Sequence, residues 1–305
     1  MNNIDSAGGS GVHEVHESRR MRGDEGGKSH KKSRVGVELI RELAAEGDRI
    51  FTTDRARELC SRCSRVDMKE SYLLEALHHL RQDGWIVSLR RGLYAISSAL
   101  PGVNPAHEFE VAMYLVDPAA ISHWSAMHYY GMTDQMPARV FVLTTSESSV
   151  PRVRSERHRE EGEGYPVAGC RYQFVSVRPE RFFGTDKVWL DDARITITNP
   201  ERTLIDGLTM PQYCGDFAEV LSAFQRSADV IDVNRIVSYG LRLDKATARR
   251  LGWVLERAGI DDAGLTELKK VEVTRYQPLD PSGPRKGPCD GEWMIQENLP
   301  GRIGS

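Results

Sequence analysis

The sequence predicts an α+β protein built from two folded units. The chain of 305 residues is longer than one small domain, and 40% hydrophobic residues can form a sizeable core. Residues 36–100 show three stretches of helical spacing followed by two short strands. Residues 105–275 mix strand-like and helix-like segments, as expected of a mixed α/β domain.

Composition and charge exclude several classes of protein. No run approaches 18 apolar residues, so no membrane span is expected. The first ten residues are polar, so no secretory signal is expected either. Five scattered cysteines form no disulfide pattern, which favours the cytoplasm. The net charge of -3 excludes a uniformly basic protein, so any contact with nucleic acid depends on local charge.

The two ends of the chain differ from the rest in composition. Residues 1–35 contain six Gly and five Ser with almost no apolar residues, so we predict a disordered tail. Its seven basic and five acidic residues leave two interpretations open, a basic arm near phosphates or a solvated tail. Residues 276–305 are rich in Pro and Gly and are predicted to be a trailer that wraps the surface or is partly mobile.

Residues 36–100 follow the order of a winged helix-turn-helix. Apolar residues recur at helical spacing from Val37 to Ala44, and Thr53 is the predicted N-cap of a second helix. A polar turn is expected over 60–65. A third helix over 68–82 ends at Gly84, and its core face is predicted to carry Leu73, Leu74, Leu77 and Leu80. Strands at 85–89 and 93–96 then form a hairpin.

The outer side of the third helix and the hairpin turn form the predicted DNA-binding surface. The helix residues are polar, aromatic or charged types that read base edges or bind phosphates, namely Lys69, Ser71, Tyr72, Glu75 and His79. At the turn, Arg90 and Arg91 are predicted to hold phosphates. Residues 36–100 hold ten basic and ten acidic residues, so a helical bundle or a protein-interaction module stays an alternative.

No metal, cofactor or enzymatic site is expected. The Cys-x-x-Cys at 60–63 lacks a second pair, and the adjacent His78 and His79 diverge by about 100° on a helix. The sequence has no Gly-rich phosphate loop, no dinucleotide fingerprint and no kinase signature. Glu267 and Lys269 could be half of a nuclease motif, but no convincing upstream Asp accompanies them. We therefore assign no catalytic residue.

Three segments of the second unit combine rings or charges. The helix over 122–130 is rich in rings, including His123, Trp124 and His128, and a structural aromatic core is favoured over a catalytic histidine pair. In 199–206, a capped helix with an Arg202–Asp206 pair is favoured over a phosphate or interaction site at its N-terminus. The basic cluster in 152–159 is either a self-neutralised loop or an additional phosphate contact.

These segments resemble the AbiEi-type antitoxins, transcriptional regulators of type IV toxin–antitoxin and abortive-infection systems. The similar stretches cover most of residues 36–300. They are LRRGLYAI (89–96), ISHWSAMHYYGM (121–132), NPERTLID (199–206), MPQYCGDFAEVL (210–221), RRLGWVLERAGI (249–260) and YQPLDPSGPRKG (276–287) with Trp293. The first stretch is common among regulators, whereas the order of the later motifs is much more specific.

The resemblance implies a cytoplasmic phage-defence protein that represses its own operon. The winged domain would bind inverted repeats of double-stranded DNA in the promoter, and dimerisation on the DNA is left open. The α/β domain would oppose a nucleotidyltransferase-type toxin, often without a stable complex. Its motif residues are His123, Trp124, His128, Glu201, Arg202 and Asp206. The alternatives are that this domain is an enzyme that modifies the toxin, or a pure protein-interaction module.

Overall fold

The computed structural model describes residues 25–63, 70–100, 102, 104–151, 164–260 and 263–299. Over these ranges the chain is a mixed α+β protein with three separate sheets. None of the helices in these ranges has both the length and the apolar character needed to cross a membrane.

The first unit contains three helices and a small antiparallel sheet. Its elements are α1 (Glu25–Glu46), β1 (Ile50–Thr52), α2 (Thr53–Cys63), α3 (Glu70–Gln82), β2 (Ile86–Arg90) and β3 (Leu93–Ile96), with strand order β1-β3-β2. Helix α1 begins well before residue 36, inside the segment predicted to be a tail. Helix α2 continues to Cys63, where a polar turn was expected, and its first turn is capped by Thr52 rather than Thr53. The Thr52 Oγ1 accepts the Arg55 N–H at 3.1 Å.

The predicted core face of α3 is wrong at one position. The residues that α3 buries are Leu73, Ala76, Leu77 and Leu80. These positions follow an i, i+3, i+4, i+7 stripe, which is one face of a helix. Leu74 lies a further 100° around the helix, and it is 48% exposed.

The second unit is built on a six-stranded mixed sheet. Its first elements are α4 (Glu108–Leu115), β4 (Ala120–Ile121), α5 (His123–Tyr129), β5 (Val140–Thr145), β6 (Tyr165–Val167), β7 (Cys170–Val177), β8 (Thr185–Leu190) and β9 (Ala193–Thr198). The strand order is β6-β7-β5-β4-β9-β8, so β6 and β8 are the edges. The β5–β7 and β4–β9 pairs are parallel and the others are antiparallel.

A helical layer follows the sheet. It contains α6 (Pro200–Thr209), α7 (Phe217–Ser227), α8 (Val233–Leu243), α9 (Lys245–Arg257) and α10 (Ala263–Lys269). Four of these helices have an N-cap residue whose side-chain oxygen accepts the backbone N–H of the third residue after it. The N-caps are Asn199, Asp216, Asp232 and Asp244. Each of these helices therefore begins at a defined residue.

The C-terminal segment contributes to the core of the second unit. Short strands β10 (Gln277–Pro278), β11 (Cys289–Asp290) and β12 (Ile295–Gln296) pair in the order β10-β12-β11. Trp293 is fully buried, and its ring lies so close to Gly252 that a Cβ at residue 252 would sit 1.9 Å from it. Only glycine fits there, so α9 and this segment pack as one body.

The two units share a hydrophobic core through the small sheet. One face of that sheet packs on α1–α3 with Phe51, Ile86 and Ile96. The other face packs on the α4 side of the second unit, with Ile50, Leu89, Leu93 and Ala95. Because successive strand residues point to opposite faces, alternation of apolar residues builds both interfaces from the same three strands.

Candidate functional site

The outer side of α3 is open to solvent. Ser71, His78 and His79 are exposed, while Tyr72 and Glu75 are half-buried. Lys69, the other predicted contact on this helix, lies outside the described residues. The second unit packs on the face of the small sheet that points away from α3, so it does not cover this side of the helix.

The charges of the first unit are arranged unevenly. Five of its described arginines pair with carboxylates, and these are Arg41, Arg49, Arg55, Arg57 and Arg62. Arg81, Arg90 and Arg91 have no such partner among the described residues, and all three are exposed. Among the arginines whose side chains are described in this unit, those without a carboxylate partner therefore lie at the end of α3 and at the hairpin turn.

The hairpin turn is held in a defined position. Gly92 adopts a φ of 74°, a left-handed conformation that glycine tolerates best. Its carbonyl accepts the Thr53 N–H at 3.0 Å, which ties the turn to the start of α2. Arg90 and Arg91 stand next to this anchor and remain exposed. Two guanidinium groups can thus reach a phosphate backbone without first reordering the turn.

The length of α3 and the side chains of its outer stripe bear on the predicted contact with a DNA groove. A helix of 13 residues is about 20 Å long, and a major groove about 12 Å wide admits it. Arg81 shares the outer stripe of Leu74, at i+7, with His78 at i+4. His78 was expected on the outer side, but Arg81 was not, because Leu74 was assigned to the core. Once Leu74 is placed outside, the same spacing places Arg81 outside as well.

The ring-rich motif does not bring its two histidines together. His123 is fully buried, whereas His128 is exposed. His123 has a φ of 49°, and its Nδ1 lies 2.8 Å from the Ser122 Oγ. Its Nε2 has no hydrogen-bond partner among the described residues. Burial lowers the pKa of His123, so this ring is held neutral inside the fold.

Trp124 lines an open pocket beside this histidine. The pocket has a volume of about 410 Å³, and Phe141, Tyr213, Arg139 and Gln173 contribute to its walls. The His123 ring packs against the edge of Tyr213 at 5.7 Å between centroids, so it forms part of the aromatic layer behind the pocket. In the described part of the chain, no group of three or more His, Cys, Asp or Glu side chains is placed to hold a metal ion.

The 199–206 segment uses its charges inside the protein. The predicted Arg202–Asp206 pair is confirmed, with 2.8 Å between Nε and Oδ1 and both side chains 1% exposed. Arg202 Nη1 also donates to the carbonyls of Arg181 and Phe183, at 2.8 and 3.1 Å. These contacts hold α6 against the loop before β8.

The buried carboxylate of Glu201 makes the N-terminus of α6 unfavourable for anion binding. It is 3% exposed, and its carboxylate accepts the Asp232 N–H at 2.9 Å. Arg235 Nη1 lies 3.4 Å from the same carboxylate. A buried carboxylate in the first turn would repel a phosphate, so the geometry favours the structural interpretation of this segment. The basic cluster in 152–159 lies outside the described residues.

Comparison with known proteins identifies a fold but no family. No protein-family model matches the sequence, and no curated protein matches it. Among solved structures, the chain is similar to the RV2827C protein from Mycobacterium tuberculosis, with a TM-score of 0.61 over 86% of this chain and 90% of that chain. The two sequences are 14% identical, so the similarity shows a shared fold alone.

Proposed function

We propose that the chain is a DNA-binding autorepressor and antitoxin, and that residues 36–100 act as a winged helix-turn-helix. The observation that carries the DNA-binding part is the location of free charge. The guanidinium groups of Arg81, Arg90 and Arg91 have no carboxylate partner among the described residues, and they flank a solvent-open helix. The five other arginines with described side chains in this unit pair with carboxylates. A protein with a near-zero total charge can bind DNA through such a local arrangement.

In this proposal each part of the surface has its own role. Helix α3 enters the major groove, where Ser71, Tyr72, Glu75 and His79 face base edges. Lys69, which lies outside the described residues, belongs to the same proposed contact set. A carboxylate such as Glu75 accepts from cytosine N4 and repels phosphate, so it selects sequence more than it adds affinity. Arg90 and Arg91 contact backbone phosphates and fix the register of the helix.

The antitoxin part of the proposal comes from the resemblance of the later motifs. His123, Glu201, Arg202 and Asp206 are buried in the second unit. In our proposal these residues maintain the fold of an antitoxin domain, and exposed residues around them meet the nucleotidyltransferase-type toxin or its target. His128 and the pocket beside Trp124 are the exposed parts of that motif. An enzyme that modifies the toxin is the second candidate.

The DNA-binding proposal is tested with the full-length chain and a duplex from its own promoter. We expect binding to the inverted repeats at least about 1,000-fold tighter than to a shuffled duplex of equal composition at the same salt concentration. Equal affinity for both duplexes would contradict the repressor assignment.

The antitoxin proposal is tested by co-expression with the toxin gene of the same operon. We expect growth to be restored while the mass of the recovered toxin is unchanged. A shift in toxin mass would favour the enzyme, and no rescue of growth would contradict both candidates.

A further inference from the structure

We infer that Tyr165 of the second unit is a positioning residue for the arginine pair of the hairpin turn. This inference rests on the proposed DNA-binding function. The Tyr165 Oη donates a hydrogen bond to the Leu89 carbonyl at 2.9 Å, across 76 residues of sequence. Leu89 immediately precedes Arg90, so a side chain of one unit holds the backbone that carries the phosphate contacts of the other.

The Leu89 carbonyl, which accepts this hydrogen bond, lies at an irregularity of β2. Ser88 pairs with Tyr94 and Arg90 pairs with Leu93, so the register shifts by one residue between them. Leu89 is the additional residue of this β-bulge, and a bulged residue is left outside the regular ladder. The Tyr165 hydroxyl supplies a hydrogen bond to this residue from outside the small sheet. In our inference, β6 therefore helps to fix the geometry of the bulge.

The side chain of Leu89 is fixed by the second unit as well. It is 1% exposed and belongs to the core shared with Val111 and Leu115 of α4. On the other side of the turn, the Gly92 carbonyl is bound by the Thr53 N–H. Arg90 and Arg91 thus stand between one anchor in each unit. The distance of their guanidinium groups from α3 depends on both anchors.

The small sheet is attached to the second unit by a second polar contact besides the Tyr165 hydrogen bond. Arg49, just before β1, lies 3.1 Å from Glu110 of α4 and also pairs with Asp192 in the β8–β9 turn. Its side chain is 13% exposed. The small sheet is therefore bonded to the second unit at both ends, by the Arg49 ion pairs at one end and by the Tyr165 hydrogen bond at the other. These contacts restrict its rotation on the second unit.

The test compares Tyr165→Phe with Tyr172→Phe in the full-length chain. Tyr172 is directly opposite Tyr165 in the β6–β7 register, and its hydroxyl donates to the Glu108 carbonyl at 3.1 Å. Both variants lose one hydroxyl and one hydrogen bond to a backbone carbonyl, but only Tyr165 reaches the hairpin. Affinity for the promoter duplex is measured by fluorescence anisotropy over a salt series, and stability is measured by urea unfolding.

We expect both variants to remain folded, while Tyr165→Phe alone loses affinity by about fivefold. In a background that carries Arg90→Ala and Arg91→Ala, the same change should have almost no effect on affinity, because the residues it positions are absent. A role in overall stability alone would not give this dependence.

The outcomes separate this inference from the proposed function. If the unaltered chain binds the promoter duplex and Tyr165→Phe binds equally well, the positioning role is overturned and the DNA-binding proposal stands. Equal losses for Tyr165→Phe and Tyr172→Phe would also overturn it. If the unaltered chain shows no preference for the promoter duplex, the proposed function fails, and the positioning role fails with it.

Discussion

Removal of the two hairpin arginines gives a quantitative test of the DNA-binding surface. Arg90 and Arg91 are exposed, and neither pairs with a carboxylate among the described residues. Each phosphate that a protein neutralises contributes about 0.9 to the slope of log affinity against log salt concentration. Arg90→Ala with Arg91→Ala should therefore make that slope shallower by about 1.8.

The same relation sets the size of the affinity loss. Two counterion-release contacts contribute about 1.8 decades at 0.1 M salt relative to 1 M salt, which is about 60-fold. Because phosphates carry no sequence information, the loss should be the same for the promoter duplex and for a shuffled duplex. Anisotropy titrations at several salt concentrations, from about 0.05 to about 0.4 M, measure both quantities.

A matched control separates direct contact from net charge. Arg41→Ala with Arg57→Ala removes the same two charges from α1 and α2. There, Arg41 lies 3.8 Å from Glu38 and Arg57 lies 3.0 Å from Glu70. We expect this control to leave the salt slope nearly unchanged. An unchanged slope in the hairpin variant, or an equally shallow slope in the control variant, would refute the assignment of Arg90 and Arg91 as phosphate contacts.

Two further predictions concern buried motif residues of the second unit. Arg202→Met should lower the free energy of unfolding by about 3–5 kcal/mol, because it leaves the buried Asp206 carboxylate without its cation. For His123, burial lowers the folded-state pKa below the ordinary 6.5, so the unfolded chain takes up a proton first as pH falls. Stability should then fall below pH 6.5 by up to about 1.4 kcal/mol per pH unit from this group, and His123→Asn should remove that contribution.

Urea unfolding checks both predictions against internal controls. Arg226→Met removes an arginine that is 45% exposed and whose partner Asp134 is 81% exposed, and it should cost no more than about 1 kcal/mol. Comparable costs at Arg202 and Arg226 would show that the buried pair is not special. For the histidine, the readout is the difference in pH slope between His123→Asn and the unaltered chain. Parallel slopes below pH 6.5 would contradict the neutral, buried state of His123.

Local features of the fold were predictable, and the reasons are physical. The pattern places the helix of Asn199 correctly, because a side-chain cap and a proline at the first helical position act within four residues. The Arg202–Asp206 pair follows from the i, i+4 geometry of any helix. The hairpin strands at Ile86–Arg90 and Leu93–Ile96 also begin and end within one residue of the predicted ranges 85–89 and 93–96.

Predictions failed where a contact depends on which partner packs against an element. Leu74 fits the helical spacing of its neighbours, yet it is exposed because α1 and the small sheet approach the adjacent stripe of α3. The missed Arg81 has the same cause, since its place on the surface follows from that of Leu74. A pattern of apolar residues shows that a helix has a buried side, but the packed neighbours decide where its edges lie.

The sequence by itself determined the three helices and the hairpin of the first unit, the cap at Asn199 and the Arg202–Asp206 ion pair, because these depend on backbone geometry over a few residues. Only the tertiary structure decided that Arg81, Arg90 and Arg91 find no carboxylate partner in the described part of the chain, and that the Leu89 carbonyl meets Tyr165, 76 residues away. Contacts at such separation depend on how whole units dock. The docking energy is spread over many apolar side chains, and no short motif records it.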